Sequence, residues 1–290
     1  DNGLNVSFGK ISEDKTVTYR VRNRGAAPLH VNSITLPAGF TANVSGEFDV
    51  PAHGEQPVVI TASAATPGIN SGAMTITYSD TETFMVNLAS VVLDTNKFYW
   101  TFDNQKWPSG TLVGDSWSVT SDTNHGYSDY YASNSNSTNP TFFFTPLMHA
   151  EAGEQFAFDV AKKGTNSFLK IYVTTDRNNP GAAVKEITAS QMNNEAVGSY
   201  NYKFSTFTIT IPEAGDYYIG FEGGYALVND LYGLVPVTIE HDIALTNAVL
   251  PATATVNNAS EASVKVLNTL SAIEKDYTLA YHIGTQTFTV

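Results

Sequence analysis

Apolar and polar residues alternate with a period of two along most of this chain. That period puts successive side chains on opposite faces of a strand and suits no amphipathic helix. Val17, Tyr19 and Val21 alternate with Thr16, Thr18, Arg20 and Arg22, and Met74, Ile76 and Tyr78 alternate with Thr75 and Thr77. Further on, Phe156, Phe158 and Val160 alternate with Gln155, Ala157 and Asp159, and Phe207, Ile209 and Ile211 with three threonines. Leu169, Ile171 and Val173 form one face of another strand, with Phe168, Lys170 and Tyr172 on the other. Val58 and Ile60 share a parity that Val59 does not, which predicts a strand buried on both faces. Pro28, Pro37, Pro51, Pro57 and Pro67 fall at or near the breaks, where a missing N–H costs least. The chain therefore reads as all-β: tandem β-sandwiches, immunoglobulin-like first, a jelly roll second, and a partial immunoglobulin-like unit last.

The divisions fall at 1–94, 97–236 and 237–290, with Leu93–Lys97 as a short polar linker. The middle stretch organises the rest. It opens on Phe98-Tyr-Trp-Thr-Phe-Asp103 and closes on Tyr217-Tyr-Ile-Gly-Phe221 followed by Tyr225-Ala-Leu-Val-Asn-Asp230-Leu231. If the first and last strands of this domain lie side by side, Asp103 and Asp230 come close. Only some 54 residues follow Pro236, about half the ~100 of a full immunoglobulin-like domain. Val264, Val266 and Asn268 nevertheless echo Tyr19, Val21 and Asn23.

Charge narrows the function. The net charge over 290 residues is −13, spread as −4 before Lys97, −6 through Pro236 and −3 after it. Each of these segments is net acidic, which argues against a nucleic-acid partner, since phosphate neutralisation needs a basic one. The chain has no cysteine, so neither disulfides nor thiol chemistry contribute. No apolar run reaches the 18 or so residues of a membrane span. The start at Asp1, with no signal-like segment, reads as the edge of something longer, with neighbouring domains of the same chain.

Three ordered sets of motifs resemble known families. Phe102-Asp103, Trp107-Pro-Ser-Gly110, Asp115-Ser-Trp117, Thr145-Pro146, Leu169–Thr175, Tyr217–Phe221 and Asn229-Asp230 resemble the cleaved-adhesin, or choice-of-anchor J, domain. That jelly roll is similar to MAM domains and to some carbohydrate-binding modules, and is best known from gingipains and related surface proteins of Bacteroidetes. Phe8-Gly9, the strand at 16–25, Pro28–Val31 and Phe48–Ala52 resemble ASH, or choice-of-anchor D, domains, which implies a spacer or protein-contact module. The segment after Pro236 resembles the CARDB type of sandwich.

The adhesin resemblance implies a structural calcium ion held by Asp103, Asn229 and Asp230, with nearby carbonyls completing the six to eight oxygens calcium takes. The family's acidic, Gly-rich segment is reduced here to Val113-Gly-Asp115, and its paired aspartates to Asn229-Asp230. The alternative is that Asp103 caps a turn and Asp230 is hydrogen-bonded at a strand end. A ligand surface is expected at Tyr127, Tyr130 and Tyr131, in a polar stretch rich in Asn and Ser, since tyrosines stack on sugar rings and anchor interfaces. Trp107 and Trp117 read as core. No catalytic constellation emerges. The six histidines are scattered, and Gly114-Asp-Ser116-Trp-Ser118 lacks both the second glycine and the strand–turn–helix setting of a nucleophile elbow. The expectation is a non-catalytic, extracellular or bacterial cell-surface adhesin that binds a glycan or an extracellular host protein. The alternatives are an accessory region of a larger secreted peptidase or glycoside hydrolase, or a plain spacer.

Overall fold

Period-two alternation produces strands and, among the described residues, no helix. A computed structural model describes residues 4–79, 81–122, 127–135, 141–192, 203–238, 243–249, 263–268, 280–283 and 286–289. The first sandwich is built from β1 (Leu4–Ile11), β2 (Lys15–Arg22), β3 (Leu29–Thr35), β4 (Phe40–Ala42), β5 (Phe48–Val50), β6 (Glu55–Ala62), β7 (Gly68–Tyr78) and β8 (Glu82–Val92). One sheet runs β1-β8-β7-β3-β5 and the other β2-β6-β4. All its pairings are antiparallel except β1 with β8. Val21, Val31, Val58, Ile60, Met74, Ile76, Val86 and Leu88 meet between the sheets around Phe8 and Phe40. The expected two-sided burial of β6 is not seen. Val58 and Ile60 are buried, whereas Val59 is only half-buried on the outer face.

The second sandwich follows with β9 (Phe98–Trp100), β10 (Leu112–Val113), β11 (Trp117–Asp122), β12 (Tyr127–Asn134), β13 (Phe142–Phe144), β14 (Met148–Ala150), β15 (Gln155–Lys162), β16 (Phe168–Thr174), β17 (Lys185–Thr188), β18 (Ser205–Thr210), β19 (Gly215–Gly224), β20 (Ala226–Gly233) and β21 (Val235–Pro236). Its two sheets close as a jelly roll. One runs β11-β12-β20-β15-β18 with β9 also on β20. The other runs β10-β13-β19-β14-β21, with β16 and β17 on the far side of β19. The two closing motifs of the sequence thus become β19 and β20, one in each sheet. They are joined through the single residue Tyr225, whose φ of 48° turns the chain across the sandwich. The opening strand is shorter than expected. It ends at Trp100, and Phe102 turns with a φ of 63° to bury its ring against Trp107 at 5.3 Å.

Phe221 sits at the middle of this core. Its ring stacks on Phe143 at 4.5 Å and meets Phe158 edge-on at 5.2 Å. Aromatic pairs at such distances add to what area burial alone supplies.

The first sandwich covers the outer face of the β20 sheet. Ile69 and Val91 pack with Ala157, Tyr99 and Tyr232, and the Tyr232 hydroxyl accepts the Asp94 N–H at 2.9 Å and donates to the Val92 carbonyl at 3.3 Å. Beside this apolar patch runs a polar chain. The Ser7 hydroxyl meets that of Thr206 at 2.7 Å, and Thr206 donates to Asp159 at 2.6 Å. Lys10 reaches across to the Tyr99 hydroxyl, which donates to Asp230 at 2.8 Å. Residues 1–237 form one compact unit with two cores, and 238–290 form another. In that second unit β22 (Ile243–Val249) pairs with β23 (Ser263–Asn268) and β24 (Ala280–Ile283) with β25 (Gln286–Thr289), both antiparallel.

Burial pushes the Asp159 carboxyl up to about 7, with Asp230 adding repulsion while the Thr206 hydroxyl, Lys10 and Lys15 pull it back. A raised carboxyl stabilises the fold fully below its unfolded value near 4 and loses that contribution as pH rises through 7. The wild-type Tm, referred to that of Asp159→Asn, should therefore fall between pH 4 and pH 7.5; equal pH profiles would refute the buried-acid account. In the core, Phe221→Ala should cost about 3–5 kcal/mol in denaturant unfolding, with little change in slope.

Candidate ligand-binding face

One sheet of the jelly roll is covered by its neighbour, and the outer face of the other carries a second set of aromatic and charged side chains, partly exposed among the described residues. Three phenylalanines in succession, 142 to 144, cannot all point one way along β13. Phe143 enters the core, and alternation turns Phe142 and Phe144 outward. Register then builds two rows. Leu112 pairs with Phe144, Phe144 with Gly220, and Gly220 with Tyr172. In the adjoining row Phe142 pairs with Glu222, Glu222 with Lys170, and Lys170 with Glu186. Tyr218, opposite Thr174, continues the face along β19.

The rings make a continuous platform. Phe142 stacks on Phe144 at 5.3 Å with 13° between planes, and meets Tyr172 edge-on at 5.2 Å. Phe144 lies flat over Gly220, where an added Cβ would fall 2.5 Å from the ring, so only glycine permits this packing. Tyr218 carries the Arg177 guanidinium 4.5 Å above its ring. The hydroxyl of Tyr172 donates to Glu222; burial and that carboxylate together hold the phenol above its ordinary value. Phe142, Lys170, Tyr218 and Glu222 are half-exposed, Leu112 and Glu186 are exposed, and Phe144 and Tyr172 are buried beneath them at 1% and 7% exposure. The aromatic surface that meets solvent is therefore that of Phe142 and Tyr218, beside one guanidinium, one ammonium and two carboxylates.

The aromatics expected from the sequence lie elsewhere. Tyr131 is 2% exposed and packs with Ala161, Leu227 and Phe204, which leaves no ring face for a ligand. Tyr130 is half-buried against the main core. Tyr127 opens β12, and its side chain lies outside the described residues. Trp107 and Trp117 pack in the core as read.

Asp103, Asn229 and Asp230 lie around the junction of β9 and β20. β9 does pair with β20, and Asp103 lies close enough to Asp230 to raise its carboxyl, although burial is the larger cause. But in β20 two residues, Asp230 and Leu231, oppose Phe158 alone, and Asp230 takes a φ of 46° in that bulge. The bulge delivers its carboxylate to the Tyr99 hydroxyl. Asn229 is buried opposite Asp159 on the covered face, and Asp103 is exposed. Among the described residues no group of three His, Asp or Glu side chains is arranged to hold a metal. The positive charge at this acidic seam comes from Lys10. Ser116 hydrogen-bonds to Asn134 and Thr141, neither of which takes a proton from a nucleophile. His30 and His149 sit in exposed pairs with Asp49 and Asp216. A chelator should leave the Tm unchanged, whereas Lys10→Met should lower it; a chelator-induced drop of several degrees would restore the calcium reading.

No protein-family model matches the chain, and no curated protein matches it. Among solved structures, the chain is similar to the K1 cleaved adhesin domain of Lys-gingipain from Porphyromonas gingivalis, at 18% identity over 49% of this chain and 99% of that one, with a TM-score of 0.38. It is also similar to the C-terminal carbohydrate-binding module of a marine laminarinase from Zobellia galactanivorans, at 11% identity over 48% and 99% and a TM-score of 0.32. A carbohydrate-binding module of a Cellvibrio mixtus lichenase, solved with cellotriose, matches at 12% identity over 49% and 98%, with a TM-score of 0.28.

Proposed function

We propose that this protein is a non-catalytic, extracellular or cell-surface binding protein whose jelly-roll sandwich takes a glycan on the open face of the β19 sheet. The observation that carries the reading is the pair of half-exposed rings Phe142 and Tyr218, with Arg177 over Tyr218 and Lys170 and Glu222 half-exposed beside them. Sugar rings present flat C–H faces that stack on aromatic rings, while their hydroxyls need donors and acceptors at the rim. Here Arg177 and Lys170 donate, and Glu186 and Glu222 accept. The sequence resemblance to cleaved-adhesin domains agrees with binding without catalysis.

A glycan array probed with the whole chain tests this. Polysaccharide binding should be detected, and Phe142→Ala and Tyr218→Ala should each weaken it about tenfold, on the order of 1.4 kcal/mol. Both side chains are half-exposed, so the Tm should move little. Binding that survives both substitutions would place the ligand elsewhere, and an array with no hits would remove the glycan reading.

A further inference from the structure

The free edges of the first sandwich are unequal. β4 and β5 are three residues each, too short to template another strand. β1 is broken by a bulge between Ser7 and Gly9, where Gly9 takes a φ of 66°. These are ordinary ways of blunting an edge. β2 has none of them. All eight of its residues, Lys15 to Arg22, pair in unbroken register with β6, and among the described residues it pairs with no other strand.

What lies beside that edge is specific. A groove of about 410 Å³ opens along β2, with Tyr19, Leu29, Val31, Ile76, Tyr78 and Phe84 as its apolar lining and Arg20, Arg22 and Arg24 at its rim. Arg20 and Arg22 alternate along β2 with Tyr19 and the buried Val21, and Arg24 follows just beyond its end; all three arginines are exposed. They are three of the four arginines in a chain of net charge −13. Glu55 pairs with both Arg20 and Arg22, so one carboxylate answers two guanidinium groups, and among the described residues Arg24 has no ion pair.

We propose that the β2 edge is a strand-addition site for an extended acidic segment of a partner polypeptide. The backbone of the incoming segment completes the ladder that β2 leaves open, the mode by which exposed sheet edges bind peptides. Its alternate apolar side chains enter the groove against Tyr19, Tyr78 and Phe84. The intervening carboxylates meet Arg20, Arg22 and Arg24, because side chains two residues apart on both strands repeat at the same ~6.6 Å. The same guanidinium stripe repels the β2 edge of a second copy, so the site selects a partner and opposes self-pairing.

The test uses the full chain and fluorescent peptides of about ten residues, long enough to span β2. One alternates glutamate with valine, one has the same composition in blocks, and one alternates lysine with valine. The alternating acidic peptide should bind at least tenfold more tightly than either of the others, and binding should slow hydrogen exchange at β2 amides. Arg20→Glu with Arg24→Glu, at exposed positions, should abolish its binding and admit the lysine peptide. Equal binding of the alternating and blocked peptides would reduce the site to unspecific charge and overturn the proposal. Absence of binding, or binding without β2 protection, would overturn it as well.

Discussion

The packing of the first sandwich against one sheet of the jelly roll is the contact on which the rest of this structure turns. It buries the outer face of β15 and β20, and with it Asp159, Asn229 and Tyr232. The outer face of the opposite sheet carries Phe142, Lys170, Tyr218 and Glu222, all half-exposed. The contact therefore sets two sheets of like sequence character in different surroundings.

The same contact explains how the molecule handles its acidity. Asp159 and Asp230 converge at the junction, and burial is the main cause that raises both carboxyls. Desolvated carboxylates in proximity need a positive partner or a proton. Lys10 supplies charge from the first sandwich, and Tyr99, Thr206 and Ser7 supply hydrogen bonds. An ammonium group from the first sandwich thus lies beside this acidic pair and favours its charged form. The two sandwiches are thereby coupled electrostatically as well as by apolar packing.

Legibility in the sequence followed the range of the interaction involved. Local alternation was enough to identify β2, β7, β15, β16 and β18 and which side of each faces a core, since parity is a property of neighbours along the chain. It was also enough to place Trp107 and Trp117 inside. It misjudged β6, where Val59 lies among outward-facing residues, and it gave no sign that the Tyr131 ring is buried against Ala161, Leu227 and Phe204.

What the sequence determined by itself was therefore the all-β character and the inward and outward sets of side chains. Both follow from a two-residue period and from where prolines and glycines interrupt it. Only the tertiary structure decided which outward set meets water, that Asp159 is buried beneath the first sandwich, and that β2 pairs on one side alone among the described residues. The physical reason is that pairing order and domain contact join residues far apart in the chain, such as Lys10 with Tyr99 or Ser7 with Thr206. No local pattern encodes such partners.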